Sequence, residues 1–188
     1  MKIIKASIFS LIFISCQDYT PRPKGYPRID FPKKEYKKAQ TVTCPFAFQI
    51  PKYTNLSVMD KTDAEPCWYN LDFVPFNATL HLSYKNISPE KSIEAYIEDT
   101  RELVFKHTVK AEEIEEREIN NHKDVKGIFY DIKGETATSI NFFVSDYQHH
   151  FLRGAFYFNS KTRIDSVQPV VDFVKRDLIH LIKTLSWE

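Results

Sequence analysis

The sequence predicts an α+β domain in which one twisted, largely antiparallel β-sheet is packed by two long helices. Three observations carry that expectation. Three apolar runs, 127–133, 136–145 and 150–158, follow one another at hairpin spacing. Residues 79–85 alternate apolar and polar with the period of a half-buried strand. Two further stretches, beginning at Ser88 and at Pro169, repeat their apolar residues at helical spacing. Hairpin-joined strands followed by helices indicate α+β rather than alternating βαβ units.

Taken in order, the globular part is expected to begin near Thr43. Phe46, Phe48 and Ile50 alternate with smaller or polar neighbours, and Pro51 ends the strand. Residues 52–76 hold Pro66 and Pro75 and little periodicity, so they read as a long loop. Leu80, Leu82 and Tyr84 then mark one face of a strand, opposite Thr79, His81, Ser83 and Lys85. Ser88 is placed as a helix N-cap with Pro89 in the first helical position, followed by Ile93, Ile97, Thr100 and Val104. The run Glu112, Glu113, Glu115, Glu116, Arg117, Glu118 reads as a solvated face or loop. Gly134 marks one turn and residues 146–149 the next. The strand 150–158 is apolar on both faces, so it should be central and covered on both sides. Pro169 is read as the opening of the last helix, whose apolar positions are Val170, Phe173, Val174, Leu178, Leu181, Ile182 and Leu185.

Before the domain stand two segments of a different character. Lys2 and Lys5 precede nine apolar or small residues, Ala6 to Ile14, and Ser15-Cys16 closes the run. This is the layout of a secretory signal peptide over residues 1–15. It is too short for a membrane span of about 20 residues. Phe13-Ile14-Ser15-Cys16 resembles a bacterial lipobox, with Phe13 where leucine is usual. On that reading the signal is removed before Cys16 and the thiol carries lipid; an ordinary secreted protein cleaved nearby is the alternative. Residues 16–42 then read as a Pro-rich basic tether, ahead of a single domain over 43–188. Pro21, Pro23, Pro27 and Pro32 favour extended backbone. Tyr19, Tyr26, Ile29, Phe31 and Tyr36 are too apolar for a pure spacer, so a solvated spacer and a docking strip stand as equal readings.

Composition sets further bounds. The chain of 188 residues carries 26 Lys and Arg against 25 Asp and Glu. Loss of Lys2 and Lys5 with the signal leaves 24 against 25, about −1, so no global field favours nucleic acid. Four glycines, none clustered, exclude a nucleotide-cradling loop. With Cys16 acylated, Cys44 and Cys67 remain as an even pair for an oxidising compartment. A bridge would close a loop of about 24 residues and contribute roughly 3 kcal/mol; two buried free thiols are the alternative. No calcium-loop spacing, His-Glu-x-x-His or Gly-x-Ser-x-Gly occurs. Asp146, His149, His150 and Arg153 gather round one hairpin and invite an acid–base reading. Adjacent strand residues point to opposite faces, however, and a solvated turn accounts for them better. No catalytic, metal-binding or cofactor-binding constellation is expected.

Several blocks together resemble the gliding-motility lipoprotein GldD family of Bacteroidota. They are Pro21 to Asp30, Cys44-Pro45-Phe46, Cys67-Trp68, Leu82-Ser83-Tyr84-Lys85, His150 to Phe158, and Trp187. The resemblance implies a non-enzymatic accessory of gliding and of the type IX secretion machinery, lipidated at Cys16, facing the periplasm. Its partners would be envelope proteins of that machinery and, through the anchor, the membrane, with no nucleic acid or nucleotide. Arg22, Tyr26, Arg28 and Ile29 in the tether are the expected partner-binding residues. The layout is also loosely similar to the PsbP/Mog1-like fold, which implies nothing about function. The competing expectation is a periplasmic module that binds a small ligand or an envelope glycan in a pocket between sheet and helix. A hydrolase built on Asp146 and His149 is the third.

Overall fold

The computed structural model describes residues 28–188 apart from 42, 61, 63, 107–110, 122–123 and 161–163. The expected α+β layout is present. A seven-stranded antiparallel sheet runs β4 (Asn55–Val58), β5 (Tyr69–Phe73), β6 (Ala78–Asn86), β10 (His150–Phe158), β9 (Thr138–Ser145), β8 (Val125–Gly134) and β7 (Ala111–Asn121). Helix α1 (Ile93–Phe105) lies against one face and α2 (Ile164–Thr184) against the other. Two small antiparallel pairs complete the fold: β1 (Tyr36–Lys38) with β3 (Gln49–Pro51), and β2 (Phe46–Ala47) with β11 (Ser186–Trp187).

Strand β10 is fourth of seven and packs on both sides, as its doubly apolar sequence requires. Leu152 and Phe156 enter the core beneath α2, while Phe151 enters the smaller core beneath α1 with Tyr96, Tyr130 and Phe143. Every residue of β9 is buried, and its adjacent Phe142 and Phe143 point into the two separate cores. All seven apolar positions assigned to the last helix are buried. Gly154 sits opposite Phe142 in the β9–β10 register, and a Cβ there would stand 2.3 Å from the phenyl ring.

Four sequence expectations are corrected. Residues 52–76 are not one loop: β4 and β5 lie there, and Tyr69, Leu71 and Phe73 alternate inward along β5. The glutamate-rich run is a solvated face, one of its two readings, but that face belongs to an edge strand, β7, rather than to a loop. Helix α1 begins at Ile93 with Ser92 as its cap, because Ser88 and Lys91 close a turn through reciprocal backbone bonds of 3.2 and 3.1 Å. Helix α2 begins at Ile164, which leaves Pro169 inside its second turn.

The Cys44–Cys67 disulfide, with Cα atoms 5.6 Å apart, fastens the segment before β2 to the start of β5. The Tyr69 hydroxyl is 3.2 Å from the Cys44 sulfur beneath it.

Candidate functional site

The segment that sequence left open between a solvated spacer and a docking strip is, from Ile29 onward, part of the folded body. Ile29 is half-buried against the main core, and Phe31 stacks on Phe173 of α2 with ring centroids 4.6 Å apart. β1 then pairs residue for residue with β3, Tyr36 opposite Pro51. The reason is a polar latch on α2. Asp177 is fully buried and accepts a 2.8 Å hydrogen bond from the Tyr36 hydroxyl at Oδ1 and another from the Tyr53 hydroxyl at Oδ2. The Lys34 ammonium stands 2.7 Å from Asp177 Oδ2, donates to the Phe173 carbonyl at 2.8 Å, and lies 3.4 Å above the Phe173 ring centroid. Tyr36 also stacks on His180, one helical turn after Asp177, at 3.6 Å.

The electrostatics are those of a closed joint. Burial first, and the carboxylate second, push the Tyr36 hydroxyl up to about 12 and raise Tyr53 further. Both phenols therefore remain donors over the whole neutral range. Burial outweighs pairing with Asp177 at Lys34 and holds its ammonium below the usual amine range. The ion pair is thus a compensated burial rather than a source of net stability.

The second assembly surrounds the 146–149 turn. Asp146 Oδ1 accepts the backbone N–H groups of Gln148, His149 and His150 at 3.0, 2.8 and 2.8 Å. Burial opposes ionisation of this carboxyl, but the three donors together hold it below the ordinary carboxylate range. Asp146 therefore builds the turn. His149 projects into solvent, its ring nitrogen 3.8 Å from Asp146. His150 turns inward, with Nδ1 2.6 Å from the Tyr84 hydroxyl and its ring stacked on Trp187 at 5.1 Å. An open cleft of about 420 Å³ lies beside this pair, bounded also by Asp146, Gln148, Lys126 and Glu188.

Arg153 lies on the other face of β10 and does not join the histidines. Its guanidinium reaches Asn141 Oδ1 at 3.5 Å, and its buried Nε has no hydrogen-bond partner among the described residues. A third feature is an apolar groove of about 250 Å³ between β7 and α2, with Ile119, Phe129, Ile179 and Ile182 in its wall.

Of the tether residues singled out by sequence, Cys16, Arg22 and Tyr26 lie outside the described residues. Arg28 is exposed, with Asp30 at 3.7 Å, whereas the Ile29 side chain is engaged by the chain's own core. Asp177, Tyr53 and Trp187 were not assigned to sites from sequence; an aspartate in the middle of an apolar helix face was the one signal for the latch. Among the described residues no group of His, Cys, Asp or Glu is arranged to hold a metal ion, and no helix is long and apolar enough to cross a membrane.

An α+β body with its N-terminal arm fastened along one helix defines a domain whose leading segment meets it at a fixed point. The chain belongs to the family described as gliding motility lipoprotein GldD, whose model matches residues 16–187, beginning at Cys16. Membership makes it a lipid-anchored component of the cell envelope associated with gliding motility. No curated protein matches it. Among solved structures it is similar to the solution structure of cyanobacterial PsbP (CyanoP) from Synechocystis sp. PCC 6803, at 10% identity and a TM-score of 0.45. That alignment covers 84% of this chain and 95% of the other. At that level neither site nor activity is transferred.

Proposed function

We propose that this protein is a non-catalytic accessory of the gliding motility and type IX secretion machinery, working by protein–protein docking on the periplasmic side of the membrane. The observation that supports it most is the latched arm. Phe31, Lys34 and Tyr36 are bound to α2 and Tyr36–Lys38 pair with β3, so a pull or contact arriving at this arm passes to the body through Asp177 and the strand pair. Lipidation at Cys16 supplies the attachment, and acyl chains contribute about 0.8 kcal/mol per buried methylene. The residues ahead of the latch, Arg22, Tyr26 and Arg28, combine arginine with an aromatic ring, the residue types that dominate docking energetics.

The test is a crosslinked pull-down of the lipidated protein from its own envelope, with mass spectrometry of the captured chains. Wild type should recover gliding or secretion components. The triple variant Arg22→Ala, Tyr26→Ala, Arg28→Ala changes no residue of the described latch and should lose them. Equal recovery by both proteins would refute docking through the tether.

A further inference from the structure

We infer that the cleft walled by His150 and Trp187 binds a neutral, hydroxyl-rich ligand of the oligosaccharide class. The inference stands apart from the docking reading and rests on different residues.

The argument begins with one proton. The Tyr84 hydroxyl sits 2.6 Å from Asn86 Oδ1 and 2.6 Å from His150 Nδ1. A phenol has a single proton to give. Burial, reinforced by Asp146, pushes Tyr84 up to about 12, so that proton stays in place at neutral pH. With the Asn86 amide oxygen facing it, the proton goes to Asn86, because that oxygen can only accept. Tyr84 then accepts from His150, which fixes the Nδ1–H tautomer. Burial also holds His150 below its ordinary value against the pull of Asp146, so the ring is neutral. Its Nε2 is left as an acceptor on an imidazole that lines the cleft.

The remaining wall has the same character. The side chains of Asp146, Asp124 and Glu188 accept, Gln148 both donates and accepts, and Lys126 is the one cation among the described residues that line the cleft. An acceptor-rich wall calls for a ligand that brings donors, and hydroxyl groups are such donors. Among the described lining residues, three carboxylates against one ammonium disfavour a phosphate or a carboxylate. A simple cation is also poorly served: Asp146 Oδ1 is already occupied by three N–H groups, and Glu188 is 3.7 Å from Lys38. The Trp187 indole, with its Nε1 held at 3.3 Å by the Asp124 carbonyl, supplies an aromatic surface. The C–H edges of a pyranose ring carry partial positive charge and pack on such a surface. The volume of about 420 Å³ falls within the range of small-molecule sites.

The test is isothermal titration of the full chain, held in a zwitterionic detergent without sugar headgroups. The probes are chitotetraose, cellotetraose and tetragalacturonate. Saturable binding of at least one neutral tetrasaccharide is expected, with a Kd of about 1 mM or tighter. Tetragalacturonate should bind at least about tenfold more weakly. A preference between chitotetraose and cellotetraose distinguishes an acetamido sugar from a plain hexose chain. Trp187→Ala should weaken binding about tenfold or more. Gln148→Ala, at an exposed turn position, should weaken it measurably with an unchanged melting curve, which guards against misfolding of the tryptophan variant. Absence of binding by both neutral probes at about 10 mM, far above the expected Kd, overturns the inference. So does binding that neither substitution alters, or binding that favours the anionic sugar.

Discussion

Replacing Asp177 by alanine should undo the arm without unfolding the sheet, and the loss can be worked from the latch. Two phenol hydroxyls donate to a fully buried carboxylate, and hydrogen bonds to a charged group contribute about 1.5–3 kcal/mol each. Their sum is about 3–6 kcal/mol, but water reaches the freed hydroxyls once the arm lifts, so the expected cost is about 4 kcal/mol. Lys34 adds little, because desolvation at its ammonium already outweighs the pairing; its side chain is 29% exposed. Lys34→Met keeps the methylenes on Phe173 and should cost less than about 1 kcal/mol. Urea unfolding of the two variants gives the comparison, and hydrogen exchange locates the loss. In Asp177→Ala the amides of β1 and of Ala39, which bonds the Phe48 carbonyl at 2.9 Å, should exchange far faster while those of β9 and β10 keep their protection. Equal costs for the two substitutions, or unchanged exchange in β1, would refute the reasoning.

Three further outcomes follow from the same contacts. Tyr36, Tyr84 and Tyr130 are each pushed up to about 12, chiefly by burial, while an unfolded tyrosine titrates near 10. From about pH 10 to 12 the folded chain therefore retains protons that the unfolded chain releases, so stability falls as pH rises through that window, as an alkaline series of urea midpoints should register. His150 and His180 are lowered, burial being the main cause in both, so the unfolded chain takes up protons first; stability should fall as pH drops from about 7 towards 5, less steeply in His150→Gln. Gly154→Ala should cost about 1–3 kcal/mol by overpacking Phe142, and Gly127→Ala more, because its Cβ would stand 1.9 Å from the Phe143 carbonyl oxygen and backbone cannot rotate away.

The central elements were legible because their sequence signals are local. β10 is apolar on both faces, and α2 repeats its apolar residues for four turns, so each carries its burial in its own pattern. β7 was illegible as a strand because an edge exposes its glutamates on both faces, and a solvated strand and a solvated loop then have the same composition. β5 does alternate, but over five residues bounded by Cys67 and Pro75 that signal is short. The arm was half legible: Ile29, Phe31 and Tyr36 marked it as too apolar for a pure spacer, but not what it would pack on. The prolines speak against regular helix or sheet, and the described residues 28–32 adopt neither, yet prolines say nothing about what an extended segment lies on. Tyr36 finds Asp177 across a separation of 141 residues, and only the packed fold brings them together. The cleft followed the same rule: Asp146 and His150 were visible as neighbours, whereas Trp187 reaches them through the closing strand β11.

That closing strand ties the disulfide to the aromatic cleft. Trp187 pairs with Phe46, and Phe46 is fully buried and packs its ring 5.4 Å from Tyr84, the residue that sets the His150 tautomer. Cys44 lies two residues before Phe46 and is bridged to Cys67, two residues before Tyr69, whose ring meets Phe46 edge-on at 6.4 Å. The bridge thus braces the strand pair that holds Trp187 against His150. A loop of this length stabilises by about 3 kcal/mol through the unfolded chain, an effect that the fold feels as a whole. The brace adds a local effect. Removing both cysteines should therefore loosen β2 and β11 more than it loosens β8 and β9, and hydrogen exchange at Trp187 and Glu188, whose amide bonds the Pro45 carbonyl at 3.0 Å, distinguishes the two effects. Uniform loosening would leave the disulfide with its entropic role alone. Selective loosening at β11 would make the oxidised bridge a condition for the geometry of the cleft.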